Sequence, residues 1–235
     1  MGPVPTPSPA ISFNILVWAP VLLFSMVAHE YAHAEAAYRQ GDNTAYMLGR
    51  LTLNPVKHID PFMTVLLPLM LWFASNGTYT FGGAKPVPVN PRNYRNFVRG
   101  DVIVSLAGIA VNLALFVACV GLFALIGMLA HALPGLTVSL GILQRMAFYG
   151  MWLNLVLAFF NLIPIPPLDG SHVFYHLLPP GAGLKYRQLY MFGFLPILLV
   201  SWVAPGVIAV FLWPAHRLLD LGIAIVGGLA IPGAM

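Results

Sequence analysis

The chain has 235 residues, of which 59% are hydrophobic and 8% charged, and its formal net charge is +4. Soluble domains carry about 25% charged residues, and no polar stretch of this chain is long enough to enclose a core of its own. The basic residues lie in loops beside apolar segments, which excludes a nucleic-acid-binding face. We therefore predict an all-α polytopic membrane protein surrounded by a lipid bilayer.

Five to six segments approach or exceed the roughly 20 apolar residues that cross a bilayer. The single cysteine, Cys119, lies within one of them and excludes an internal disulfide. In chain order the predicted segments cover residues 11–38, 61–73, 102–129, 146–163 and 189–213, followed by a weak sixth segment after Arg217.

The distribution of basic residues predicts the orientation of these segments, because lysines and arginines collect in cytoplasmic loops. The predicted topology is a multi-pass protein of the cell membrane with its N-terminus outside, the first segment ending in the cytoplasm. Seven of the 11 basic residues lie between the first and third segments, namely Arg39, Arg50, Lys57, Lys85, Arg92, Arg95 and Arg99.

The second segment is short, contains Pro68 and has basic residues on both sides, so it fits a simple span poorly. A short re-entrant β-hairpin element fits better, with a helix leading in and extended chain returning along residues 78–91. Extended backbone at membrane depth is tolerated where it is buried in protein or lines a wet cavity. We therefore expect this hairpin to lie against the functional site.

The first segment ends in the sequence HEYAH, residues 29–33. Histidines at positions i and i+4 share one helix face, so His29 and His33 can bind one zinc ion. Glu30 can then act as the general base toward a water molecule that the zinc activates. Ionisable residues within a membrane segment indicate function by default, which favours this interpretation over a chance match.

A catalytic zinc site usually has three protein ligands. Asp169 follows an apolar helix that ends on the same predicted side as HEYAH, and the prolines before it break that helix. An aspartate at this place is either a ligand or a helix cap. The need for a third ligand favours coordination, and the predicted cofactor is one catalytic Zn²⁺ on the cytoplasmic side.

With these residues in place, the chain resembles the site-2 protease family of intramembrane zinc metalloproteases. The likeness covers about residues 13–176 and points to the compact prokaryotic branch without PDZ or CBS domains. We expect one domain over residues 1–235, with a catalytic core at about 11–176 and C-terminal helices at about 185–235. Four blocks carry the resemblance: HEYAH at 29–33, GRLTLNPVKHIDP at 49–61, GGAKPVPVNP at 82–91 and NLIPIPPLDG at 161–170.

The resemblance implies zinc ligation by His29, His33 and Asp169, with Glu30 as the catalytic base. It implies that Asn161, eight residues before Asp169, lies near the zinc and stabilises the oxyanion. Asn112 matches a further family motif and is either a substrate-contacting residue or part of an interhelical hydrogen bond.

The implied substrate is a transmembrane protein, cut in or near its membrane segment as in regulated intramembrane proteolysis. Such a helix must unwind to expose its peptide bonds, and the hairpin edge can pair with it as an added strand. A catalytically silent zinc-binding scaffold or a metal transporter is the alternative. A second metal site at His172 and His176 is a weaker hypothesis. The edge residues assigned to substrate are Gly82, Gly83, Val87, Val89 and Asn90.

Overall fold

The computed structural model describes residues 9–74 and 83–235, and these residues form helices joined by loops, with no strand among them. A single π-helical turn, Pro61–Leu66, leads into the third helix. The helices are α1 Pro9–Gln40, α2 Thr44–Met47, α3 Leu67–Ala74, α4 Phe97–Ala132, α5 Thr137–Asn161, α6 Gly170–Tyr175, α7 Pro180–Arg187, α8 Leu195–Val203 and α9 Pro205–Val226.

Three helical stretches of the described chain are long and apolar enough to cross a membrane, at Phe97–Ala132, Pro134–Asn161 and Pro205–Leu229. The all-helical membrane class predicted from composition therefore agrees with the structure. Helix α1 has 32 residues and carries the HEYAH sequence in its second half.

The predicted boundaries of the C-terminal segments were wrong. A segment over 189–213 is interrupted, because the chain bends at Gly193 with φ +54° and again between α8 and α9. Helix α9 begins at Pro205, where proline is favoured because the first helical position has no backbone partner for its N–H. It then continues past Pro214 and Arg217, so the weak sixth segment is the second half of α9.

Helices α1, α4, α5 and α9 form the bundle that carries the site. Helix α4 packs along α5, α1 packs against both, and α9 packs against α5. The main core is apolar and centres on Phe123, Met151 and Leu155. Fully buried Ala34 and Ala37 allow α1 to approach its neighbours closely, as small residues do between membrane helices.

The structure does not confirm the predicted re-entrant β-hairpin, because the described residues contain no strand. Its first limb is helical over residues 61–74, while residues 75–82, including Gly82, lie outside the described residues. The returning limb, residues 83–90, has no regular secondary structure and pairs with no strand of the described chain. It is held by the Lys85 N–H, which donates to the His58 carbonyl oxygen at 2.7 Å, and by the Thr64 hydroxyl, which donates to the Gly83 carbonyl oxygen at 2.7 Å.

Candidate metal centre and active site

Three side chains converge between α1 and the loop after α5. The Nε2 atoms of His29 and His33 lie 3.0 Å apart, and Asp169 Oδ2 lies 3.1 Å from the first and 3.3 Å from the second. The convergence follows from the i, i+4 spacing on α1, which places both imidazoles on one face. Among the described residues, this is the group of metal-ligand side chains whose ligand atoms all lie within 4.8 Å of one another.

The other nitrogen of each imidazole is already engaged. His33 Nδ1 lies 2.7 Å from the Val104 carbonyl oxygen, which can only accept, so this nitrogen carries the proton. His29 Nδ1 lies 2.6 Å from Asn112 Oδ1. In the tautomer with the proton on Nδ1, both histidines turn an unprotonated Nε2 toward the centre of the cluster, as metal-ligating imidazoles do.

A chain of buried amides fixes the orientation of Asn112. The Asn154 Nδ2 group donates to the Gly150 carbonyl oxygen at 2.8 Å and to Ser25 Oγ at 3.0 Å. Its Oδ1 therefore faces Asn112 and accepts from Asn112 Nδ2 at 2.8 Å. This leaves Asn112 Oδ1 as the acceptor for His29, so the network that links α1, α4 and α5 also selects the His29 tautomer.

The cluster fits a bound cation. Two imidazole lone pairs and a carboxylate oxygen face one another, and Asp169 Oδ2 is buried without a hydrogen-bond donor. Converging acceptors repel unless a cation lies between them, and an unsatisfied buried carboxylate is costly. Two histidines and one carboxylate form a ligand set that catalytic zinc sites use. His29, His33 and Asp169 would therefore hold the ion.

Asp169 is not a helix cap. It occupies the position before α6, but its side chain makes no capping hydrogen bond, and its carboxylate turns toward the histidines instead. The loop before it is tied down by Tyr186, whose hydroxyl donates to the Pro164 carbonyl oxygen at 3.0 Å. Just after it, Ser171 Oγ lies 2.6 Å from the Tyr190 hydroxyl oxygen.

Gly108 on α4 lies directly against the two histidines. A Cβ atom at this position would lie 2.6 Å from both His29 Nε2 and His33 Nε2. Real Cβ atoms do not approach other atoms so closely, so a side chain here would displace the ligand atoms. Sequence reasoning missed this residue, since a glycine within an apolar helix more often indicates close helix packing.

Glu30 points toward the extended segment. Its Oε2 accepts a 2.7 Å hydrogen bond from the Val87 backbone N–H. Ala34, one turn after Glu30, packs in a small core cluster with Val87. The segment at residues 83–90 therefore contacts the candidate catalytic base directly through Val87.

Asp42 anchors the far end of this segment. Its Oδ2 accepts from the Asn90 backbone N–H at 2.6 Å, and its Oδ1 accepts from Asn93 Nδ2 at 2.8 Å. Burial opposes the charged form of Asp42, but these bonds and those from Thr44 outweigh it, so the pKa of Asp42 lies below its usual value. The segment is thus fixed on both sides of Val87, by Asp42 just after α1 and by the His58 carbonyl oxygen.

The remaining candidate residues lie in different surroundings. Asn161, at the end of α5, donates through Nδ2 to the Leu157 carbonyl oxygen at 2.9 Å, and no described hydrogen bond joins it to the three ligands. Asn112 is fully buried within its amide network. Val89 and Asn90 are exposed, and Asn90 Oδ1 accepts from the Arg92 backbone N–H.

His172 and His176 both contact the carboxylate of Asp101, at 3.3 and 2.8 Å. The three ligand-type side chains do not meet the 4.8 Å convergence that the first cluster shows. The pair therefore forms a hydrogen-bonded cluster around an aspartate, and the second metal site receives no support from the described residues.

Comparison with known proteins places the chain in a family. The model of peptidase family M50 matches residues 123–199. "Putative zinc metalloprotease YwhC" of Bacillus subtilis is 43% identical over 196 residues, 82% of either chain. "Putative zinc metalloprotease Rip2" of Mycobacterium tuberculosis is 32% identical over 199 residues, 85% of this chain and 71% of its own. No solved structure matches.

The chain belongs to peptidase family M50, the site-2 proteases. Its class is therefore that of the zinc metalloproteases, which confirms the resemblance that the four sequence blocks indicated. The family match includes Asp169, while the similarity to the two relatives extends over most of the chain.

Proposed function

We propose that this protein is an intramembrane zinc metalloprotease that hydrolyses peptide bonds in or near transmembrane segments of membrane-protein substrates. The observation that carries the proposal is the convergence of His29, His33 and Asp169 between helices of a membrane-protein bundle. The adjacent Glu30 adds the general base that hydrolysis needs.

The residues have separate roles in this reaction. The chemistry that zinc supplies in such a site is Lewis acidity, which lowers the pKa of water to about 7 and polarises a carbonyl group. Glu30 takes the proton of the attacking water and passes it to the leaving amine. The Val87 N–H holds Oε2 of Glu30, which leaves Oε1 to carry the proton.

Asn161 is the proposed donor to the oxyanion. It ends α5 eight residues before Asp169, and its amide bonds to its own helix at Leu157. An amide at a helix end can exchange this bond for one to substrate by a change of rotamer. The role therefore requires the side chain to turn away from Leu157 when substrate binds.

The proposed substrate contact is strand addition along residues 82–90. The described part of this segment has no regular secondary structure, and Val89 is exposed beside the fixed Val87. A transmembrane helix hides its carbonyl groups in its own hydrogen bonds, so pairing with an extended segment offers replacement partners as the helix unwinds. Gly83, Val87, Val89 and Asn90 border this path.

The proposed location is the cell membrane, with the N-terminus outside and the site toward the cytoplasm, as the basic loops indicate. Cys119 is the one native cysteine, so a Cys119→Ala chain with a single new cysteine at Ser8 or Asn93 reports sidedness. We expect an impermeant maleimide to label position 8 in intact cells and position 93 after lysis. Labelling of position 93 in intact cells would contradict this topology.

The Glu30→Gln variant distinguishes a protease from a catalytically silent scaffold or a metal transporter. Glutamine keeps an oxygen that can accept from Val87 N–H but cannot take up the proton. We expect the variant to bind zinc like the native chain while a membrane protein or its trimmed remnant accumulates in quantitative membrane proteomics. Equal proteomes under several stresses, with zinc bound in both chains, would favour the scaffold.

A further inference from the structure

We propose that Asp101 is a positioning residue for the metal ligand Asp169, acting through His172 and His176. The inference rests on the proposed metal site and adds a residue set that the hydrolysis itself does not use. Its basis is a single carboxylate on α4 that holds two histidines of the segment directly after Asp169.

Both oxygens of the Asp101 carboxylate are occupied. Oδ2 lies 2.8 Å from His176 Nε2, and Oδ1 lies 3.3 Å from His172 Nδ1. The Asp101 side chain is 8% exposed and that of His176 is 9% exposed, so the shorter contact is shielded from water. Removing one partner leaves a buried polar group without its hydrogen bond, which is unfavourable.

The contact with Asp101 affects the position of Asp169 because both histidines belong to the short segment that follows Asp169. Helix α6 has six residues, begins directly after Asp169 and contains His172, with His176 at its end. So short a helix is not stable alone in solution, and its position depends on the groups that hold it. Asp101 connects α6 to α4 on the side of the metal ligand.

Contacts from one face of α4 therefore orient all three candidate ligands. Asn112 orients His29, the Val104 carbonyl orients His33, and Gly108 admits both rings. Residues 101, 104, 108 and 112 recur at spacings of three and four, which places them along one stripe of the helix. Asp101 lies on the same stripe and holds α6, the helix that follows the third candidate ligand, Asp169.

The two histidines differ in their access to water. A cavity of about 310 Å³ lies beside Asp101 and His172, with Phe97 and Tyr175 in its wall. His172 is 37% exposed, so its contact with Asp101 is screened and contributes little. His176 packs edge-on against Phe97 at 5.5 Å between ring centroids, and it is the partner whose loss is expected to matter.

The test measures zinc affinity, by competition with a chromophoric chelator, on the full chain purified in detergent. We expect Asp101→Asn and His176→Leu each to weaken zinc binding about tenfold, within the range that outer-shell partners of metal ligands show. The double variant should be no weaker than either single variant, since both remove the same contact. Asp220→Asn, which removes an exposed carboxylate, is the matched control and should bind zinc normally.

A positioning role also predicts rescue. His176→Gln keeps a donor near the place of Nε2 and should recover most of the affinity that His176→Leu loses, while the metal-free melting temperatures of the three chains stay within a few degrees. Native affinity in both Asp101→Asn and His176→Leu would overturn the proposal. So would multiplicative losses, or a loss that His176→Gln does not relieve. A native chain without zinc would instead overturn the proposed metal site, and this inference with it.

Discussion

The backbone N–H of Val87 donates a 2.7 Å hydrogen bond to Oε2 of Glu30, which joins the extended segment to the candidate catalytic base. The two residues are far apart in sequence, and the contact depends on the anchors at Asp42 and His58 on either side. This hydrogen bond fixes the orientation of the Glu30 carboxylate. The extended segment is therefore part of the proposed catalytic machinery as well as the proposed path for substrate.

Replacing Val87 by proline removes this donor, since proline has no backbone N–H. We expect the rate of cleavage of a reconstituted membrane substrate to fall about 10- to 100-fold, because small misplacements of a catalytic group are costly. Zinc content should not change. Val87→Ala keeps the N–H and is the control, and equal rates in the proline and alanine variants would contradict the role of the hydrogen bond.

Val89 tests strand pairing separately. Val89→Pro removes a backbone donor from the exposed part of the segment without touching the bond to Glu30. We expect a higher KM for the membrane substrate with a smaller change in kcat, because the loss affects binding of the unwound strand. Val89→Ala should behave like the native chain. An unchanged KM in the proline variant would exclude pairing at this position.

Gly108→Ala tests the close approach of α4 to the metal centre. A methyl group there meets both ligand nitrogens at 2.6 Å, so the imidazoles must move and zinc affinity should fall by at least tenfold. Gly121→Ala lies on the same helix, where an added Cβ meets no atom within 4 Å. This control should bind zinc like the native chain, and both variants should raise helix propensity equally. Equal zinc affinity in the two variants would show that the site adapts.

Asn112→Ala leaves the Nδ1–H of His29 without its acceptor and opens a gap beside Asn154. Outer-shell partners of ligating histidines typically contribute 10- to 100-fold to metal affinity, and we expect a loss of that size by chelator competition. Asn161→Ala is the comparison, because its amide bonds to its own helix at Leu157. It should retain zinc and lose cleavage rate. A loss of zinc affinity in Asn161→Ala, with normal zinc binding in Asn112→Ala, would contradict both assigned roles.

Removal of the metal should abolish cleavage, and added zinc should restore it. A ligand present at about 100 times its Kd stabilises the folded state by about 2.7 kcal/mol, so the melting temperature should rise as zinc is returned. In the His33→Ala chain, added zinc should change neither activity nor melting temperature. Full activity of the native chain in excess chelator would contradict a catalytic metal.

The three candidate metal ligands could be proposed from the sequence because their signals are local. His29 and His33 share one helical turn, and Asp169 follows a run of prolines that had to break a helix. Gly108, Asn154 and Asp101 gave no comparable signal, because their roles arise only when α4 packs against α1, α5 and α6. A single sequence does not specify which glycine of an apolar helix meets a ligand.

The hairpin and the C-terminal helices show the same limit. The short, proline-containing segment predicted a helix followed by an extended strand, and the structure has the helix but no strand in the described part of the returning chain. Its partner at Glu30 is a long-range contact that periodicity does not reveal. At the other end, hydropathy alone joined α8 to the first half of α9, since Gly193 and Pro205 interrupt the helix without interrupting the apolar character.

The order of the ligands along the chain has a consequence for biosynthesis. His29 and His33 lie in the first helix, whereas Asp169 follows α5. During translation, the growing polypeptide therefore carries an incomplete coordination set until most of the bundle has left the ribosome. On the proposed function, hydrolytic activity would therefore be absent from the nascent chain until the segment after α5 has been made.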